Sequence, residues 1–178
     1  MNQYIFRGKR LDNGEWVYGD HVGGYIVNYI DLATSWEPNT CDHKLTVRAF
    51  AVAPQTVGQS TGLPDGTFNF DIVEVCIFLV SPANPDNDKH FRGVVFYQDG
   101  VVQFKIYKYL KFDGKKSEWV ALKARYLPFE DCELDEDGTF TISYVDFCGI
   151  SGNLGEFNAD NIEIVGNRWD NPELLQKE

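Results

Sequence analysis

The sequence predicts a mainly β protein assembled from antiparallel hairpins, and three observations predict it. Turn dipeptides recur along the chain, at Asn13-Gly14, Asp65-Gly66, Asp99-Gly100, Asp113-Gly114 and Asp137-Gly138. Asn and Asp tolerate the left-handed conformation and Gly adopts it without a Cβ clash, so such pairs suit tight hairpins. The segments between them are rich in Val, Ile, Phe, Tyr and Trp, the residues that fit a pleated, half-buried surface. Helix signals are sparse by comparison.

Element by element, Tyr4–Leu11 pairs with Glu15–Asp20, Arg92–Gln98 with Val101–Phe112, and Val101–Phe112 with Glu118–Leu127. Phe70–Val80, Phe140–Cys148 and Asn161–Val165 are further strands. Residues 81–88 contain Pro82 and Pro85 without an apolar anchor and read as a loop. The best helix signal is at the end, where Asn171 is placed to cap and Pro172 to start a short helix through Glu173-Leu174-Leu175.

Side chains alternate along a strand. From Val101 to Phe112 one face carries Val102, Phe104, Ile106, Leu110 and Phe112, and the other Gln103, Lys105, Tyr107, Tyr109 and Lys111. Lys108 interrupts the apolar face, which points to a bulge or an edge. Across the turn, Trp119, Lys123 and Arg125 share a face. Lys105, Tyr107, Tyr109, Lys111, Trp119, Lys123 and Arg125 therefore form the candidate interaction surface, both aromatic and basic. Such a surface stacks bases and neutralises phosphates, or makes a protein contact.

Composition decides between these partners. Hydrophobic residues are 43% and aromatics 15%, enough for a core. Lys plus Arg number 16 against 27 Asp plus Glu, a formal charge of -11 that repels phosphate backbones and anionic membranes. The reading is a homo-oligomer or a protein-binding module, with a nucleic-acid accessory role second. The same charge also admits an acidic DNA mimic. The N-terminus lacks the charged and apolar regions of a signal peptide, and no apolar run reaches the roughly 20 residues of a membrane helix. Cytoplasmic residence is expected, with Cys41, Cys76, Cys132 and Cys148 as free thiols.

No catalytic, metal or cofactor site is expected. Gly58-Gln59-Ser60-Thr61-Gly62 matches a nucleophile elbow, yet that motif needs a helix after the serine and Leu63-Pro64-Asp65-Gly66 is turn chemistry. Glu133, Asp135 and Asp137 with Gly138 begin a calcium-loop pattern, but Tyr144 stands where the bidentate glutamate belongs. Cys41-Asp42-His43 has no second knuckle for zinc. His21 and His90 have no recognisable serine or cysteine partner, and Gly149, Gly152 and Gly155 are spaced wrongly for phosphate loops. A hydrolase is the least favoured class.

Three stretches carry a resemblance. Phe6-Arg7-Gly8-Lys9-Arg10-Leu11-Asp12-Asn13-Gly14-Glu15-Trp16-Val17-Tyr18-Gly19-Asp20 is the first. Thr56-Val57-Gly58-Gln59-Ser60-Thr61-Gly62-Leu63 with Asp71-Ile72-Val73 is the second, and Ile164-Val165-Gly166-Asn167 with Asn171-Pro172-Glu173-Leu174-Leu175 the third. Together they resemble the YopX family of phage and prophage proteins; Cys76 to Phe157 is unmatched. The residues carried over, of unknown role, are Arg7, Gly8, Trp16, Gly19, Asp20, Gly58, Gln59, Thr61, Gly62, Asp71, Gly166, Asn167 and Pro172. The chain departs from the family at Phe70, where a Gly usually precedes the Asp, and at Ser60, where an aromatic is usual. The resemblance implies a small SH3-like barrel, a phage or prophage origin in a host cytoplasm, and self-association, but no known activity. It implies one domain over residues 1–178, with an insertion around 81–160 as a candidate second β subdomain.

Overall fold

In the computed structural model, residues 5–32, 44–63, 66–77, 89–127, 132–146 and 162–176 are described. They are mainly antiparallel strand, and the chain divides into two compact units, Met1–Ser60 and Thr61–Glu178. Among the described residues no helix is long and apolar enough to cross a membrane.

The first unit begins with the expected hairpin. Strand β1 (Phe6–Lys9) pairs with β2 (Trp16–Val22), Lys9 opposite Trp16. The Asn13 carboxamide oxygen accepts the Glu15 N–H at 3.0 Å, and Gly14 takes the left-handed conformation. Two further strands follow that the sequence reading did not identify, β3 (Tyr25–Leu32) and β4 (Lys44–Ala51), paired from Tyr25↔Ala51 to Leu32↔Lys44. Their signal was Gly23-Gly24, both at positive φ, between His21-Val22 and Tyr25-Ile26-Val27. At Gly19, a Cβ would stand 2.1 Å from the Val27 carbonyl oxygen.

This sheet has the order β4-β3-β2-β1-β5, where β5 is Gly58–Gln59. It also curls back on itself. Val52 bridges to Arg10, the Leu11 N–H donates to Ala51 O at 2.9 Å, and the Ala53 N–H donates to Lys9 O at 2.8 Å. The 3-10 turn Pro54–Thr56 then feeds β5, and the Thr56 hydroxyl accepts the Lys9 N–H at 2.9 Å. Strand β1 is therefore paired on both edges, which removes an aggregation-prone edge at the unit's start.

The second unit is a sheet of order β10-β8-β7-β6-β11, with β9 also on β8. Its strands are β6 (Asp71–Ile77), β7 (Lys89–Gln98), β8 (Val101–Phe112), β9 (Ser117–Ala121), β10 (Phe140–Ser143) and β11 (Ile162–Asn167). Asp99 and Gly100, both at positive φ, make the β7–β8 turn. The core on one face joins Val73, Val75, Phe91, Val95, Phe104, Ile106 and Ile142.

The interruption read at Lys108 is a bulge at its neighbour. Pairing passes from Gly93↔Ile106 to Arg92↔Lys108, so Tyr107 has no partner on β7; its carbonyl instead accepts the Leu122 N–H at 3.1 Å. An inserted residue reverses the alternation beyond it. Tyr109 consequently lies opposite Phe91 and packs against the core, rather than sharing an exposed face with Tyr107. That corrects the face assigned from simple alternation.

Other boundaries also shift. The strand expected to reach Leu127 stops at Ala121 and is followed by a 3-10 turn, Ala124–Tyr126. After Ser143 the chain makes a helical turn at 144–146, because the Ser143 hydroxyl accepts the Asp146 N–H at 3.0 Å. The C-terminal helix is a single 3-10 turn, Pro172–Leu175. Asn171 does not cap it: its Oδ1 faces back and accepts the Asn167 N–H at 3.3 Å. The expected loop at 81–88, and residues 147–148 of the expected strand, lie outside the described residues.

Candidate functional site

The motif residues resolve first, because most of them build framework. The Arg7 guanidinium is 4.7 Å from the Trp16 ring centroid, and Gly8 lies against Val52 where the first sheet closes. Gly58 and Gln59 pair with Arg7 and Phe6. Asp20 is exposed on β2. Thr61 binds Thr67 O through both its N–H and its hydroxyl, and Gly62 takes positive φ. Asp71, 2% exposed, accepts the Phe68 N–H at 2.8 Å. Asn167 accepts the N–H groups of Trp169 and Asp170, both at 3.0 Å, with Pro172 opening the turn beyond. At Gly166 a Cβ would run into the Asn171 side chain, which would have to give up its present place over the loop.

Two of these framework pieces converge. The Asp71 turn fixes Phe70, and the Asn167 loop presents Arg168 and Trp169. Phe70 has φ 71°, the left-handed region in which a Cβ costs about 1–2 kcal/mol. Its backbone is held there by hydrogen bonds on both sides: its N–H donates to Val95 O at 2.8 Å and its carbonyl accepts the Arg168 N–H at 3.0 Å. The Arg168 guanidinium lies 5.3 Å from the Phe70 ring centroid and 5.1 Å from that of Trp169, and the two rings meet edge to face. Strain held by surrounding structure is a marker of sites with a purpose.

Phe70 and Arg168 wall a pocket of about 520 Å³ on the sheet face opposite the main core. Val94, Phe96 and Tyr107 add apolar and aromatic surface; Gln98, Gln103, Lys105 and Thr141 add polar groups. A concave, mixed site of this size falls in the range that holds small ligands or partner side chains.

The residues proposed from sequence divide. Lys105 and Tyr107 line the pocket. Tyr109 stacks on Tyr126 at 4.5 Å between ring centroids and meets Phe91 at 5.6 Å. Trp119 lies elsewhere on β9, beneath Arg92, whose guanidinium is 4.3 Å from its centroid and also bonds Glu74. Lys123 borders a shallow depression with Trp119 and Lys108, and Lys111 another with Asp113 and Glu118. Arg125 covers Tyr126 and donates to its hydroxyl at 2.8 Å. The seven residues expected on one aromatic-basic surface thus fall into four groups. Phe70, Arg168 and Trp169 were missed as site residues, since no local motif joins positions so far apart in the sequence.

The acidic turn is engaged internally. Lys105 Nζ is 2.6 Å from Asp137 Oδ2, and the hydroxyls of Thr139 and Thr141 donate to Asp135 at 3.1 and 2.7 Å. The Lys105 bond, followed by those from the Thr139 hydroxyl and N–H, holds the Asp137 carboxyl well below the usual carboxylate range. Such a group stabilises the fold above its unfolded pKa, and the contribution is lost as pH falls through the folded value. A carbon-detected NMR titration is expected to place Asp137 below the ordinary aspartate value of about 3.9. Lys105→Gln should move it upward; an unchanged midpoint would mean that the pair does not form.

Ser60 bonds Ile5 O through its N–H, and residues 61–63 and 66–67 are not helical, so the elbow geometry is not assembled there. Among the described residues, neither Cys76 nor Cys132 is in a disulfide. Cys76 Sγ sits 3.7 Å from His90 Nε2 across β6 and β7, a proximity the spacing in sequence did not show. His21 meets the Phe6 ring at 5.7 Å. Cys41-Asp42-His43, Cys148, Gly149, Gly152 and Gly155 lie outside the described residues. Comparison of the chain with protein families, with curated proteins and with solved structures finds no match.

Proposed function

We propose that this chain is a non-enzymatic binding module that grips a protein partner in the pocket walled by Phe70 and Arg168. One observation carries the reading: a strained aromatic and a stacked guanidinium are held on rigid turns at the rim of a concave surface. The pocket lining is apolar and aromatic side chains, two amides, the hydroxyls of Tyr107 and Thr141, and two cations, a mixture that suits holding a ligand. The first unit, closed through Arg10 and Val52, is in this reading a small SH3-like barrel, and the chain a YopX-like phage or prophage protein of the host cytoplasm. Nucleic acid is the second reading, because Arg168, Phe70 and Tyr107 offer stacking surfaces. Lys105 is already neutralised by Asp137 and the chain carries -11, so a protein partner is favoured.

The test places a photo-crosslinking p-benzoylphenylalanine at Gln98, on the pocket rim, and irradiates cells that contain the natural partners. A protein adduct is expected, falling at least about fivefold with Arg168→Ala or Phe70→Gly. Phe70→Gly relieves the left-handed strain while removing the ring, so its stability in urea should stay within about 1 kcal/mol of the parent. Loss of capture in a variant that stays folded is therefore a loss of the site. An adduct of twice the 20.3 kDa chain would identify a second copy and convert the reading to self-assembly. Adducts indifferent to both variants, or adducts to nucleic acid, would overturn it.

A further inference from the structure

We infer that the group taken by this pocket is a carboxylate carried on a peptide, with Arg168 as its anchor. The inference rests on the preceding reading and supplies the chemistry of the partner. Of the two cations that line the pocket, Lys105 bonds Asp137. Arg168 meets no carboxylate within ion-pair distance among the described residues, although the chain holds 27 acids against 16 bases. Asp170, two residues away, has its carboxylate turned to the Asn167 side-chain amide at 2.8 Å.

The way Arg168 is held fits that vacancy. The rings of Phe70 and Trp169 pack against the guanidinium, at 5.3 and 5.1 Å between its central carbon and their centroids. Packing of this kind fixes the plane of the fork and leaves its N–H donors to a partner lying in that plane. A planar, singly charged carboxylate matches such a fork through two parallel hydrogen bonds. Phosphate fits less well. Lys105, the other cation of the pocket, is bound to Asp137, and Asp135 stands close by through its bond to Thr141, so a dianion meets one unengaged positive charge beside two acids. The neighbouring apolar surface of Phe96 and Tyr107 favours a carboxylate carried on an extended peptide with an apolar residue beside it.

The experiment uses the full chain and three probes: N-acetyl-Glu-Phe amide, its N-acetyl-Gln-Phe counterpart, and inorganic phosphate. NMR follows the Arg168 Nε–H and Trp169 Nε1–H signals. The Glu peptide is expected to shift both signals saturably at millimolar concentration. The Gln peptide should bind about tenfold more weakly, and phosphate more weakly still. Arg168→Gln should remove the Glu-over-Gln preference, and Arg168→Lys should restore only part of it. Equal binding of the two peptides, no saturable shift, or tighter binding of phosphate would each overturn the inference. If photo-capture depends on Arg168 while the peptides show no preference, the carboxylate is wrong and the binding module stands. If the Glu preference is found while capture ignores Arg168, the binding-module reading fails and the carboxylate site remains.

Discussion

Gly19→Ala is expected to destabilise the first unit by about 3 kcal/mol or more, the upper end of what overpacking costs. The added methyl would stand 2.1 Å from the Val27 carbonyl oxygen and 2.8 Å from its carbon, and this neighbour is backbone within a paired strand. A flexible side chain can move aside; here β2 and β3 must separate, and Val27 is held in two ladders, opposite Asp20 and opposite Ala49. Gly14→Ala is the control. Gly14 has positive φ with nothing within 4 Å of its added Cβ, so it should cost only the left-handed strain of about 1–2 kcal/mol. Urea unfolding monitored by amide NMR signals of β2 and β3 separates the two. Equal losses at both positions would mean that the close approach is absent.

The second large effect belongs to the other unit. Phe91→Ala should cost about 3–5 kcal/mol, the range for truncating a buried phenylalanine. Phe91 has no exposed surface, sits opposite Val75 on one neighbour strand and Tyr109 on the other, and with Phe104 is among the largest fully buried side chains of the described residues. Its loss removes the ring against which Tyr109 is tilted at 5.6 Å, so the cavity opens beside the Tyr109–Tyr126 stack. Tyr97→Ala, on the same strand but 38% exposed, should stay within about 0.5 kcal/mol. Denaturant midpoints of the two variants, read by circular dichroism, check this. A Phe91 variant as mild as the Tyr97 one would show that the core is not closed over that ring.

What was legible in the sequence was local. Asn13-Gly14, Asp99-Gly100 and Asp113-Gly114 each turn one strand into the next, because the dihedral demand of a tight turn falls on one or two residues. What was hidden depends on tertiary position. The bulge at Tyr107 shows in the sequence only as an ill-placed Lys108, and one inserted residue moved Tyr109 from the surface to the core. Asn171 reads as a cap in sequence, but the fold spends its side chain on the β11 loop. The pocket was half legible. Lys105 and Tyr107 sit on a recognisable strand, whereas Phe70 and Arg168 are 98 positions apart and meet because β6 and β11 pair, Asp71 opposite Asn167.

The bulge also gives strand β8 two allegiances. Before it, the even positions Phe104 and Ile106 belong to the interior; beyond it, the odd position Tyr109 does. A strand without the insertion serves one interior with one parity for its whole length. This one changes parity at the residue that closes the pocket, so Gln103, Lys105 and Tyr107 form a run of pocket positions that ends where the inward side changes. Those three can vary in chemistry without a matching change in Phe104 or Ile106. The floor of the pocket and the interior beneath it are written in separate letters of the same strand, and one can drift while the other stays constant.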